Sequence, residues 1–281
     1  MTTKKISIII PTCHRNDLLA KCLDCLAPSA QTLPPSQYEV IVTDDGSRST
    51  AEQLVKEHYS WVRWVSGPQK GPAHNRNHGA AVAHGEWLVF TDDDCLPSTN
   101  WLASYAEAVT DTASVYEGKT VCVAGVTSPL YQAPINLTGG CLWSCNFMIR
   151  ASLFADVRGF DTDFAMPAME DIDLHERLCQ TGNQGKFVEG AVVDHPPRRI
   201  HSGLISGRMY EAKVQYWNKR GRYRHSFVAY IKHVKHQLHC ILCFGFHRDI
   251  LPAGYTLLVE TLYVVPRLAR WERKYHARYG T

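Results

Sequence analysis

No stretch of this 281-residue chain is apolar for long enough to cross a membrane as a helix. The first apolar run, Ile6 to Ile10, stops at Pro11; it is too short for the core of a signal peptide and reads as a buried strand. Ten cysteines without an export signal point to a reducing, cytoplasmic setting, where they are small core residues or metal ligands and not a disulfide framework. Cys22/Cys25 and Cys240/Cys243 lack the knuckle glycines and short loops of a zinc module, and fall within helical apolar stripes that core packing explains. The segment after the first strand, Pro11-Thr12-Cys13-His14-Arg15, has no glycine, and there is no Walker sequence, so the phosphate loop a nucleotidyltransferase ordinarily wants is missing. Internal repeats and low-complexity tracts are absent too. Acids are scarce at one end: from Arg198 onward 16 Lys plus Arg face 4 Asp plus Glu, a net of +12, which leaves 14 against 23, or −9, for residues 1–197.

A hydrophobic content of 45% is enough to bury a full core, in one large domain plus an appendage. Short apolar runs alternate with helical patterns: Ile6 to Ile10 then Leu18 to Leu26, Tyr38 to Thr43 then Ala51 to His58, Trp61 to Val65 then Ala73 to Ala83, and Trp87 to Thr91. Runs apolar at every position mark strands covered on both faces, so the fold class is α/β with a mostly parallel sheet. A strand-like, Gly-rich stretch covers Val121 to Ile149, a helix Ala168 to Gly182, and a strand Gly190 to His195. Pro196-Pro197 ends the sheet pattern, and the remainder is mainly helical. Two stripes stand out there, Phe227-Ile231-Val234-Leu238-Ile241 and Tyr255-Leu258-Val259-Leu262-Tyr263.

Ligands of such sheets gather beyond the carboxyl ends of strands, where this chain places Pro11-Thr12, Asp44-Asp45-Gly46-Ser47 and Asp92-Asp93-Asp94. Three successive carboxylates at the end of a buried strand repel one another unless a cation neutralises them, and oxygen ligands suit Mg²⁺ or Mn²⁺ bridging a diphosphate. A calcium loop is disfavoured, because its glycine and later glutamate do not follow. Asp44-Asp45 reads either as a turn and helix cap or, beside the aspartate triad, as a nucleoside reader. Glu170-Asp171 heads a helix, where dipole satisfaction is a complete explanation, yet no other acid is left to deprotonate an acceptor. His195 at a strand end is either a hydrogen-bonded core residue or a metal ligand.

Together these residues resemble the family 2 glycosyltransferases of GT-A fold. The resemblance runs from Ile6 to about Arg198 through five ordered pieces: Ser7 to Thr12, Val40 to Ser47, Gly71 to Gly79, Phe90 to Asp94, and Glu170 to Leu174. It implies a GT-A, Rossmann-like sheet flanked by helices over residues 1–197, with a nucleotide-sugar half to about 97 and an acceptor half from 98, and a helical basic extension over 198–281. It also implies roles. Pro11, Thr12, Arg15 and Asp44 line the nucleoside pocket with Asp45 close by. Arg76 approaches the nucleotide, and Asp93 lies with Asp92 on the nucleotide-sugar side. Asp92, Asp94 and His195 hold the metal; Asp171 is the base, with Glu170 beside it. Cys95 stands where another acid often follows, and His74-Asn75 precede Arg76; both depart from the common pattern. The expected activity is inverting, metal-dependent transfer from a nucleotide diphosphate sugar, UDP-linked, to a hydroxyl of a polysaccharide or lipid-linked glycan. A nucleotidyltransferase and a non-catalytic sugar-nucleotide or membrane-binding protein are the alternatives. The basic tail interleaves its charges with apolar stripes, which fits packing or an anionic membrane surface better than nucleic acid, so the expected location is cytoplasmic and peripheral to the membrane.

Overall fold

The computed structural model describes residues 6–110, 112–222 and 226–280. Its principal sheet is built from β1 (Ile6–Thr12), β2 (Tyr38–Asp44), β3 (Val62–Ser66), β4 (Trp87–Phe90), β5 (Leu96–Pro97) and β6 (Val115–Val121), and, beyond the short β7 (Tyr131–Gln132), from β8 (Phe147–Arg150) and β9 (Lys186–Asp194). Strand order is β3-β2-β1-β4-β8-β6-β9-β5. β3, β2, β1 and β4 are parallel neighbours; β8 is antiparallel to both β4 and β6; β6 and β9 run parallel. Two reversals cancel, so β4, β6 and β9 all point the same way. The carboxyl ends of β1, β2, β4 and β9 therefore share one edge of the sheet.

The unbroken apolar runs have a packing cause. Ile8, Ile10, Val40, Val42 and Val89 face one layer, with Leu19, Leu23 and Leu26 of α1 (Asn16–Leu26) and, past α2 (Glu52–His58) and α3 (Pro72–Ala81), Trp101 and Tyr105 of α4 (Trp101–Ala108). Ile9, Ile41, Leu88 and Phe90 face the other, with Ala73 of α3, Phe154 of α5 (Ala151–Asp156) and Leu174 and Leu178 of α6 (Glu170–Gln180). A period of two with helices on both faces favours apolar side chains at nearly every position of these strands, buried Ser7 being an exception in β1.

Residues up to 123 together with 134–196 form one compact unit; 124–133 with 197 onward form another. The second thus takes in a loop from the middle of the stretch that the sequence pattern assigned to the sheet, because β7 pairs with β10 (Arg198–Arg199), just beyond the Pro196-Pro197 break. The rest of this unit is α7 (Gly203–Lys219), α8 (Ser226–Leu242), α9 (Ile250–Val264) and α10 (Leu268–Tyr279), with Tyr210, Val214, Tyr230, Val264, Leu268 and Trp271 in its core. Cys22 packs in the first unit, but Cys240 and Cys243 are exposed, so packing does not account for that pair. Among the described residues no helix is long and apolar enough to cross a membrane.

Candidate active site

The shared edge gathers the polar residues that follow each strand. Asn75 of α3 ties the ends of β1 and β2 together: its side-chain amide donates to the Thr43 carbonyl at 2.9 Å and the Thr12 carbonyl at 3.4 Å, and its Oδ1 accepts the Thr43 hydroxyl at 2.7 Å. Asp44 is 2% exposed and works as a cap. Its carboxylate accepts the Gly46 N–H at 2.8 Å, the Ala51 N–H at 2.5 Å and the Trp64 indole N–H at 3.2 Å. Asp45, half-buried, accepts the Gln69 and Gly71 N–H groups at 2.9 and 3.0 Å. Gly71 has φ +95° where the chain enters α3, and a Cβ there would collide with the Ala165 carbonyl, so this close approach requires glycine. Pro11 and Thr12 are buried, forming the floor of the edge and not a rim.

The three aspartates after β4 divide between two arginines. Asp92 accepts from Arg76 at 2.7 Å. Asp93 is fully buried, takes the Thr12 hydroxyl at 2.6 Å, and forms an ion pair with Arg15. Burial pushes its pKa up to about 7 against the pull of Arg15 and Thr12. Asp94 accepts from Arg15 at 2.9 Å through Oδ2, while its Oδ1 lies buried with no hydrogen-bond partner. The repulsion expected within this triad is thus offset by two arginines of unequal freedom: the Arg15 side chain is 43% exposed, that of Arg76 5%.

Asp94 Oδ1 faces His195 Nε2 at 3.5 Å, and Nε2 is likewise buried without a hydrogen-bond partner. His195 Nδ1 lies 2.9 Å from the Pro196 carbonyl, which can only accept, so Nδ1 carries a proton, and in the neutral form of the ring Nε2 turns a lone pair toward the carboxylate. Two acceptors facing each other in a buried place want a proton or a metal ion between them. A carboxylate oxygen and an imidazole nitrogen suit Mn²⁺ or Mg²⁺. Cys95 completes the cluster of potential ligands with Asp94 and His195. Burial raises its pKa well above that of an ordinary thiol, and it hydrogen-bonds Cys145, so it stands as a neutral wall. Asp92, expected among the metal ligands, is turned to Arg76 and lies outside this cluster.

Arg76 crosses from the triad to the start of α6, where its other nitrogen reaches Glu170 at 3.1 Å. It was expected to approach the nucleotide. Instead it is buried between two carboxylates and over the Phe160 ring, which hold it protonated although burial alone would lower its pKa. Glu170 is 3% exposed, and burial, helped by Asp171, pushes its pKa up to about 7. Asp171 is half-buried; its pKa too is raised, by burial first, against backbone N–H groups including those of Ile172 and Ser144. Before this helix Met169 adopts φ +75°, a left-handed backbone uncommon outside glycine, and concentrated near sites of function.

Several positioning residues were invisible in the sequence. Asn77 exchanges two hydrogen bonds with the Phe160 backbone, at 2.8 and 2.9 Å, and Arg177 donates to the Val157 and Gly159 carbonyls, so the Gly159-Phe160 turn is gripped by α3 and α6 alike. Glu117, buried within β6, accepts the Gly140 and Cys141 N–H groups at 2.7 and 3.0 Å. Its segment, VYEGKTV, carries a second charge at Lys119, so nothing in the sequence marked Glu117 as buried.

Residues 7–165 match the model of Glycosyl transferase family 2. The chain belongs to this family. Among curated relatives, the glycosyltransferase AglE of Haloferax volcanii is 24% identical over 228 residues, covering 75% of this chain and 74% of that protein. An uncharacterized glycosyltransferase of Haemophilus influenzae is 34% identical over 201 residues, covering 62% of each. The chain spans 54% of the validoxylamine A glucosyltransferase of Streptomyces hygroscopicus, at 27% identity over 73% of its own length. Of solved structures, the mannosyltransferase PcManGT of Pyrobaculum calidifontis aligns over 99% of this chain and 76% of its own, with a TM-score of 0.55 and 18% identity; S. aureus TarS 1-349 aligns over 98% and 92%, with a TM-score of 0.54 and 17% identity. The fold is thus GT-A-like, and the protein is a glycosyltransferase of family 2 type with a helical C-terminal region.

Proposed function

We propose that this glycosyltransferase is metal-dependent and inverting, and moves a sugar from a UDP-linked donor to a hydroxyl of a polysaccharide or lipid-linked glycan. The observation that carries the proposal is the buried pair Asp94 Oδ1 and His195 Nε2, which face each other at 3.5 Å, each without a hydrogen-bond partner, beside an acidic edge. The solved PcManGT is in complex with GDP-Man and Mn²⁺ and TarS 1-349 with UDP, which supports a nucleotide-linked donor. A divalent cation held by Asp94 and His195 would offset the negative charge that develops on the departing diphosphate.

The chain's own residues divide the remaining work. Asp45, at the rim, and Asp44 beneath it form the nucleoside end with Pro11 and Thr12. Asp93, too buried to meet a ligand, holds Arg15 in place, and Arg15 is exposed enough to swing from Asp94 onto a phosphate. Arg76 and Glu170 are positioning residues that fix Asp92 relative to the head of α6. Asp171 receives the acceptor proton as the acceptor oxygen attacks the anomeric carbon from the face opposite the leaving group; its raised pKa brings it toward the range where a carboxylate works as a base. One displacement inverts the anomeric centre and leaves no use for a carboxylate nucleophile.

The test is a panel of UDP- and GDP-sugars with Mn²⁺ or Mg²⁺, monitored for nucleoside diphosphate release, with the anomeric configuration of the product read by NMR. Release that needs a divalent ion and gives inverted product is expected. Retention of configuration, or equal rates in EDTA, would overturn the mechanism; a GDP preference would overturn the donor base alone.

A further inference from the structure

The outward face of α9 is apolar where a water-facing helix would be polar. Leu251, Tyr255, Leu258, Leu262 and Val265 recur at one turn's spacing and are all exposed, Leu251 at 83% and Tyr255 at 68%. The stripe continues across the turn from α8 through Leu242 and Phe246, whose side chain is fully exposed. Leu204 joins it, because Gly203 at the start of α7 abuts Thr256 and Glu260. The two acids of this segment face elsewhere. Glu260, 7% exposed, accepts from the Tyr230 hydroxyl at 3.4 Å and lies 2.9 Å from His233 Nε2; Asp249 is held by the Ser128 hydroxyl at 2.7 Å. The helix therefore keeps its single carboxylate inside and its large apolar side chains outside.

Basic residues fringe this face. Arg248 sits one turn before Leu251 and Arg267 just after Val265, both exposed, with Arg208 exposed one turn beyond Leu204. From Arg198 onward the chain carries 16 basic against 4 acidic residues. Apolar side chains this large and this exposed, recurring along one helix face, mark an interaction surface more often than ordinary solvent-facing surface. Fifteen residues of α9 make a rod of about 22 Å, short of the ~30 Å hydrocarbon core, so such a helix lies along an interface and does not cross it. Apolar side chains on the surface, no outward carboxylate and a basic fringe are together complementary to an anionic lipid bilayer.

We infer that the α9 face, with Phe246 and Leu204, docks this unit on an anionic membrane surface. The inference stands independently of the proposed reaction. Its test is co-sedimentation of the full chain with vesicles of phosphatidylcholine alone and of phosphatidylcholine with phosphatidylglycerol, at low and high salt. Binding to the anionic vesicles is expected, weakening at least about tenfold without anionic lipid, and falling as salt screens the arginines. The triple variant Leu251→Gln, Tyr255→Gln, Leu258→Gln replaces exposed side chains only; it should keep the parent's circular dichroism and melting profile and bind at least about tenfold more weakly. Leu258→Trp should show blue-shifted fluorescence on the anionic vesicles. No binding to anionic vesicles at low salt, or unchanged binding by the triple variant, would overturn the inference. So would loss of self-association in the triple variant by analytical ultracentrifugation with vesicle binding intact, which would make a second copy the occupant of this face.

Discussion

Glu170 tests the architecture of the site without any substrate. Its carboxylate is buried against Arg76 and Asp171, and burial pushes its pKa up to about 7 from an ordinary 4.5. Between those values the folded chain keeps a proton that the unfolded chain has released, so Glu170 lowers stability as pH rises through this window. A gap of about two and a half pH units corresponds to ~3 kcal/mol once the group is ionised, a sizeable share of the ~5–15 kcal/mol that keeps a domain folded. Glu170→Gln preserves shape and still offers Arg76 an oxygen, but cannot ionise. The variant should match the parent below about pH 4 and exceed it by up to ~3 kcal/mol near about pH 8. Urea unfolding followed by tryptophan fluorescence across that range reads the difference, because Trp61, Trp64, Trp87, Trp101 and Trp143, five of the seven tryptophans, lie in the same unit as Glu170. A variant less stable than the parent near pH 8 would refute the reasoning, since the ion pair with Arg76 would then outweigh the cost of burying the charge.

Asp94→Ala should abolish turnover and remove the metal-dependent part of nucleotide binding; calorimetry with unchanged metal-dependent affinity would exclude Asp94 as a ligand. His195→Ala should raise the Mn²⁺ concentration for half-maximal activity about tenfold or more, while a lowered melting temperature with unaltered metal dependence would make it a core residue only. Asp171→Asn should cost about 10²–10⁴ in turnover at saturating donor and acceptor, with donor affinity retained; near-normal turnover would move the base elsewhere. Arg15→Gln removes the cation that now lies on Asp94, so it should tighten Mn²⁺ binding in the absence of donor and weaken donor binding in its presence; looser Mn²⁺ binding in both conditions would show that Arg15 builds the site and does not compete for it.

Sequence patterns carried the sheet well, for a physical reason. Ile6 to Ile10, Val40 to Val42 and Trp87 to Phe90 are packed on both faces, so composition alone marks them, and the first polar residue after each run marks the ligand edge. His195 was legible in its own segment only as the end of a strand; its grouping with Asp94 came from the family resemblance, because the meeting itself depends on two strand reversals between β4 and β9. The same limit hid the link made by Arg76, whose carboxylates, Asp92 and Glu170, stand 16 and 94 residues away. The short β7–β10 ladder pairs segments too brief to show periodicity, so the membership of residues 124–133 in the second unit left no local trace.

The two arginines differ in how deeply each is buried, which the context of Arg15 suggested and that of Arg76 did not. Arg15 follows a strand end, where residues are usually free to meet a ligand, and its half-exposed side chain indeed retains that freedom while it neutralises Asp93 and Asp94. Arg76 lies in a helix whose small neighbours Ala73 and Gly79 let α3 approach the sheet, and a Cβ at Gly79 would press on Ile9 and Thr43. That close approach is what carries the Arg76 side chain under the acidic edge and out of reach of solvent. A guanidinium buried between two carboxylates costs several kcal/mol to expose, because withdrawing it strands both partners. A site built this way has one counter-ion that can yield to an incoming cation and one that cannot. If a cation takes Asp94 as proposed, Arg15 can give way without loosening the bond between β4 and the head of α6, and Asp171 would keep its position whether or not the cation is bound.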